Sequence, residues 1–129
     1  MDTPGNGHIA DLTDGVLRVV RTTGVQEGLV TVFATGSTVA VTTMEYEPGG
    51  VHDLQALLRR LIPADAGYEH NQRNRDTNAH AHLRAALIGA SETIPLLDGR
   101  LALGTWQQVV LIDFDDRPRQ RTVAVGVLS

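Results

Sequence analysis

The chain has 129 residues, a formal net charge of −4, 42% hydrophobic and 20% charged residues, no cysteine, and arginine as its only basic residue apart from histidine. Its length fits one hydrophobic core, and its balance of apolar and charged residues fits a globular fold. Disulfides, thiolate metal sites, cysteine nucleophiles, lysine Schiff bases and a P-loop lysine are all excluded.

No apolar run approaches the ~20 residues needed to span a bilayer, so no membrane partner is expected. The opening "MDTPGNGHIADLT" has neither a basic segment nor an apolar core, which argues against a secretory signal and for a cytoplasmic location. Residues 1–10 are expected to be poorly ordered. An acidic balance without a basic run argues against nucleic acid. Serine never stands in G-x-S-x-G, so a nucleophile elbow has no support.

In chain order, "DLTDGVLRVVRTTG" offers Asp11 or Thr13 as an N-cap, Val16, Leu17 and Val20 at helical spacing, and Gly24 as a stop. "GLVTVFATGSTVAVTTME" is rich in β-branched residues and broken at Gly36-Ser37, which predicts a hairpin. Gly49 to Leu61 places Val51, Leu54, Leu57, Leu58 and Leu61 on one helical face, and Pro63 stops the helix.

Ala64 to Thr77 is polar and aperiodic and reads as a loop of functional length. "NAHAHLRAALIG" reads as a helix capped by Asn78 and stopped at Gly89. The last third reads as strands: Thr93 to Leu97, Arg100 to Leu103 beyond an Asp98-Gly99 turn, Trp106 to Phe114, and Gln120 to Leu128. "VVLIDF" is apolar on both faces, and a second subunit is one source of cover for it. The expected fold is α+β, one domain over residues 1–129, mostly antiparallel sheet with two or three helices.

Three of the five histidines, His70, His80 and His82, fall within thirteen positions. His80 and His82 are two apart, roughly 200° around a helix, so both can bind one ion only if His80 lies before the regular helix, at its frayed first turn or in extended geometry. If it does, His70 can join from the loop, and three imidazoles suit zinc with a fourth position open. The competing reading is exposed loop histidines, or one packed inside. Ser37, Thr38 and Glu45 flank the first turn and are either ordinary strand polarity or part of a site. Arg117, Arg119 and Arg121 stand near Asp113, Asp115 and Asp116, where pairing competes with phosphate binding. Thr105, Trp106 and Gln107 carry the only tryptophan, either as core or as the wall of a pocket.

The strings "VFATGSTVAVTTMEYEPG" and "YEH…DTNAHAHLRAALIGASETIPLLDGRLALGTWQQVVLIDFDDRPRQR" together resemble the YjbQ-like uncharacterised protein family, sometimes named secondary thiamine-phosphate synthase. The resemblance runs from about Asp11 to Val127, and "GRLALGTWQ" (Gly99 to Gln107) is its most specific element. It implies an α+β fold, a homotrimer, and a pocket near a subunit boundary that holds a divalent metal.

Carried over residue by residue, the histidine of Y-x-H falls on His70, that of A/S-H-L/I falls on His82, and a family glutamate falls on Glu45, the candidate general base. Many members read His-Thr-Thr or His-Thr-Ser where this chain has Gly36-Ser37-Thr38, so His80 is the candidate third ligand. The resemblance also implies a strand before Gly7 to Thr13 for which little chain remains here. The implied activity is metal-assisted chemistry on a small phosphorylated metabolite, thiamine-phosphate formation in particular, with Arg119 neutralising pyrophosphate. The alternative is a trimeric metal- or metabolite-binding protein without turnover.

Overall fold

The computed structural model describes residues 1–129. In chain order it forms β1 (Asp2–Thr3), β2 (His8–Asp11), α1 (Thr13–Thr23), β3 (Gly28–Thr35), β4 (Val39–Met44), α2 (Pro48–Leu61), α3 (Glu69–Asn74), α4 (Ala79–Ile88), β5 (Ser91–Leu97), β6 (Arg100–Leu101), β7 (Gln108–Asp113), β8 (Arg119–Gln120) and β9 (Thr122–Leu128). Two antiparallel sheets, ordered β2-β7-β4 and β6-β5-β3-β9, enclose the main core, and β1 pairs with β8 in a small third sheet.

The main core joins Val30, Val32 and Ala34 of β3 to Val39 and Val41 of β4 and to Val109 and Leu111 of β7, with Val16 and Val20 of α1. A second core lies on the other side of the three-stranded sheet, where Ala40, Val110 and Ile112 meet Leu58 of α2 and Ala81 and Ala85 of α4. The two-sided apolarity of "VVLIDF" is thereby covered by the chain itself, the four-stranded sheet and α1 on one face and α2 and α4 on the other. No helix is long and apolar enough to cross a membrane.

Three sequence expectations change. The opening residues, expected to be poorly ordered, contribute β1 and β2, with Thr3 and Ile9 buried. The expected hairpin at Gly36-Ser37 is a crossover between sheets: β3 pairs with β5 and β9, whereas β4 pairs with β7. Both strands turn valines toward the same core, which requires them to face each other across it. Within the expected loop from Ala64 to Thr77 lies α3, closed by Arg75 in the left-handed region.

The helix boundaries follow local chemistry. Asp11 Oδ1 accepts from the Thr13 N–H at 2.9 Å, and Gly24 closes α1 at φ 70°. The Glu47 carboxylate accepts from the N–H groups of Gly49 and Gly50, each at 2.8 Å, ahead of a first turn led by Pro48. Of the five apolar residues expected on one face of α2, Leu58 is buried and Val51 and Leu54 pack beside it, while Leu57 and Leu61 are exposed.

Candidate functional site

His80 and His82 both lie inside α4, so they leave the helix in divergent directions. His82 meets His70 of α3, with ring centroids 4.8 Å apart and planes inclined by 50°. Asn71 fixes this meeting. Its Oδ1 accepts from the Ala79 N–H at 3.0 Å, serving the start of α4, where Asn78 makes no side-chain cap, and it lies 3.0 Å from His70 Nδ1. An amide oxygen can only accept, so His70 Nδ1 is the donor in this bond, and in the neutral ring that tautomer leaves the Nε2 lone pair free. Asn74 Nδ2 also donates to the His70 carbonyl at 2.9 Å.

His82 borders a shallow concavity of about 330 Å3 that it shares with Gly36, Ser37, Val39 and Gly89. Beneath that rim lies a buried ionic network. Arg121 forks onto Asp113, with Nε to Oδ2 and Nη2 to Oδ1 both at 2.7 Å, and Nη2 also donates to Thr38 Oγ1 at 2.7 Å. Thr38 donates to Asp115 Oδ2 at 3.1 Å, Arg119 Nε donates to the same oxygen at 2.7 Å, and Thr3 donates to Asp113.

Burial alone pushes Asp113 up, but hydrogen bonds from Arg121, Thr3 and the Asp115 N–H outweigh it and hold the carboxyl below its usual range. Asp115 follows the same balance, with Arg119 as its main stabiliser. The Asp113 bonds raise Arg121 above its ordinary value.

This network answers two sequence questions. Thr38 is a buried structural link and not a pocket wall. Gly36 has no room for a side chain: a Cβ there would stand 2.8 Å from Arg121 Nη1 and 3.0 Å from Val39 Cγ1, at a φ of 147°. Arg121 thus occupies the space into which a side chain at position 36 would project. Arg119 is engaged by Asp115, while its Nη atoms make no hydrogen bond in the chain.

The remaining candidates stand elsewhere. His80 is buried and its Nδ1 has no hydrogen-bond partner; burial, then the Arg84 charge, lowers its pKa against the pull of Asp116 and Asp115. The reading of His80 as third ligand required a frayed first turn or extended backbone there, whereas His80 sits in a hydrogen-bonded first turn and is buried. Glu45, Thr105, Trp106 and Gln107 gather at the opposite end of the β4–β7 ladder, all exposed. The register runs from Val39↔Asp113 at the Ser37 end to Met44↔Gln108 at the Glu45 end, about 17 Å of strand. There Gln107 donates to Thr43 Oγ1 at 3.0 Å and Trp106 is 74% exposed, so it is not core.

No three His, Asp or Glu side chains of one chain are grouped to hold a metal ion. The structure therefore brings together His70, His82 and Ser37, with Thr38 and Arg119 in the network below. Sequence reasoning missed Asn71, although it follows His70 directly, and Arg84, a lone charge in the otherwise apolar run Leu83–Ile88.

The family model described as UPF0047 protein YjbQ-like matches residues 1–129. A UPF0047 protein of Archaeoglobus fulgidus is 41% identical over 120 residues, covering 93% of this chain and 90% of that protein. One from Methanothermobacter thermautotrophicus is 38% identical over 119 residues, covering 92% and 81%. Among solved structures, a YbjQ-like protein of unknown function from Sulfolobus solfataricus superposes with a TM-score of 0.91 at 29% identity, covering 98% of this chain and 92% of that one. A hypothetical protein from Aeropyrum pernix gives 0.89 at 34% identity, covering 99% and 95%. Fold and sequence agree, and the chain belongs to the YjbQ-like UPF0047 family.

Proposed function

We propose that the His70–His82 pair is the reacting end of a small-molecule enzyme that uses a divalent metal ion, with zinc favoured by imidazole donors. The observation that carries this reading is the approach of the two rings to 4.8 Å, with Asn71 holding His70 in the tautomer that leaves Nε2 free. Ligating histidines are oriented in this way, by a hydrogen bond to the other nitrogen. The donor set fits an ion in part: His70 and His82 supply two imidazoles, one fewer than the three protein ligands of a catalytic zinc site. A substrate oxygen, water or a group from a neighbouring copy has to complete it. Bound there, a divalent ion supplies neutralisation of charge on a phosphate or pyrophosphate.

The chain's own residues suit such a substrate. Ser37 lines the same concavity as His82, and Arg119 keeps its Nη donors unspent. Thiamine-phosphate formation is the activity the resemblance attaches to this site. A thiazole nitrogen displaces pyrophosphate from a pyrimidine methylene, so no covalent nucleophile is needed. The non-catalytic alternative, a metal- or metabolite-binding protein, is favoured by the distant position of Glu45, which takes the expected general base away from the pair within one chain.

The test incubates purified zinc-loaded protein with a pyrimidine pyrophosphate and a thiazole phosphate, then with simple phosphate esters. Turnover that His82→Ala abolishes supports the enzyme. Zinc binding without turnover on any of these favours the binding protein.

We further propose a homotrimer, with the site near a subunit boundary. The outward positions of β3, β5 and β9 carry no charged side chain and expose Leu29, Phe33, Leu97 and Leu128. On α4, beside His82, Leu83 and Leu87 are also exposed. Two separate apolar patches are what a closed ring needs, since each copy offers one patch to the next. Light scattering at micromolar concentration is expected to give the mass of three chains, and a clean monomer removes the boundary from the proposal.

A further inference from the structure

Arg84 is 6% exposed, yet it takes part in no ion pair within 4.0 Å. Its Nε and Nη2 donate to the single carbonyl of Ile62 at 3.1 and 2.7 Å, and its guanidinium carbon lies 6.0 Å from the Phe114 ring centre. A carbonyl dipole and a ring face offset part of a buried charge and leave its net charge in place. Nη1 makes no hydrogen bond in the chain.

The side chain lines a cavity of about 370 Å3, a volume within the range of small-ligand sites. Arg59 of α2 lines the same cavity and is likewise without an ion pair. Burial, opposed by Tyr68 and reinforced by the Arg59 charge, lowers the Arg84 pKa. Leu58, Pro63 and Phe114 supply an apolar wall, and the exposed Asp65 stands among the lining residues. Gln55 fixes one side by donating to the Gly7 carbonyl at 2.9 Å.

We propose that this cavity binds a small organic anion, its phosphate or carboxylate group held by Arg84 and Arg59 and its apolar part laid on Phe114, Leu58 and Pro63. Arginine forks match the geometry of both oxyanions. The site is separate from the histidine pair, because Arg84 and His82 are two residues apart on α4 and leave it on different sides.

The experiment is calorimetric titration of the full chain with phenyl phosphate, benzoate and inorganic phosphate, against sodium chloride at matched ionic strength. One anion per chain is expected to bind saturably, with phenyl phosphate or benzoate tighter than inorganic phosphate, and the tighter of the two names the head group. Arg59→Gln, an exposed substitution, is expected to weaken binding about tenfold, the scale of one charge-assisted hydrogen bond, without changing the circular dichroism spectrum. His82→Ala is expected to bind like wild type, which separates this site from the histidine pair. Absence of saturable binding above the chloride control, or an Arg59→Gln affinity equal to wild type, overturns the proposal. A loss of assembly mass in Arg59→Gln also overturns it, since the counterion is then a neighbouring copy's carboxylate.

Discussion

Replacing Arg121 with methionine is expected to remove about 3–5 kcal/mol of stability at pH 7, the cost of leaving a buried charge without its partner. Asp113 is fully buried, and the Arg121 fork occupies both of its oxygens at 2.7 Å. The variant leaves that carboxylate with Thr3 and the Asp115 N–H alone. The double variant Asp113→Leu/Arg121→Met, which removes both charges, is expected to be less destabilised than the single one.

The pH dependence has a definite sign. In the wild type the folded Asp113 pKa is depressed, so its contribution is fully present above the unfolded value of ~3.9 and is lost as pH falls through the lower folded value. In Arg121→Met burial dominates and raises the folded pKa, so the penalty is largest at neutral pH and shrinks as the pH falls toward 4. Urea unfolding at pH 7 and pH 4.5 checks the variant's sign, and urea unfolding of the wild type carried below pH ~3.9 checks the first point. A stability gap that widens in acid shows that Asp113 is not the group Arg121 serves.

The helices were largely legible because their ends are marked by local chemistry: Asp11 and Gly24 around α1, Pro63 after α2, Gly89 after α4. Strand pairing was not. Alternation in "GLVTVFATGSTVAVTTME" states which residues face a core, but it is equally satisfied by a hairpin and by two strands facing across a sandwich. The partners of β3, which are β5 and β9, lie some sixty and ninety positions away. The short α3 is too brief for propensity to reveal. It carries an exposed Arg73–Glu69 pair at 2.8 Å, which adds little, and Asn71, which joins it to α4.

The candidate site was half legible for a similar reason. Motif resemblance named His70, His82 and Glu45, and the reading of the chain added Ser37 and Gln107, while strand length separates them: β4 carries Ser37 to one end of the sheet and Glu45 to the other. Within one chain they cannot share a small substrate. The H-x-H spacing invited a shared ion, and the helix resolves it by sending His80 inward beside Arg84. The buried charges were readable as residues but not as roles, since only the fold decides that Arg121 has a carboxylate and Arg84 has none.

His82→Ala is expected to lower zinc affinity by more than the ~10–100-fold that follows loss of a residue orienting a ligand, because it removes a ligand itself. Asn71→Leu is expected to fall within that ~10–100-fold range, since it frees His70 Nδ1 and lets the ring choose the other tautomer. His80→Ala and Glu45→Gln are expected to stay within about threefold of wild type, as one side chain points into the interior and the other stands some 17 Å along the strand. The measurement is competition with a chromophoric chelator after stripping and reloading, with circular dichroism to confirm that each variant folds. Equal uptake by wild type and His82→Ala shows that the ring pair is not a metal centre. A His80→Ala loss as large as that of His82→Ala shows that the zinc-bound protein turns His80 outward, which requires the first turn of α4 to unwind, and amide exchange at Ala79 to Ala81 then has to speed up on adding zinc. If His80 stays inward, two imidazoles are the whole contribution of one chain, and the third donor has to be supplied by substrate, solvent or a neighbouring copy.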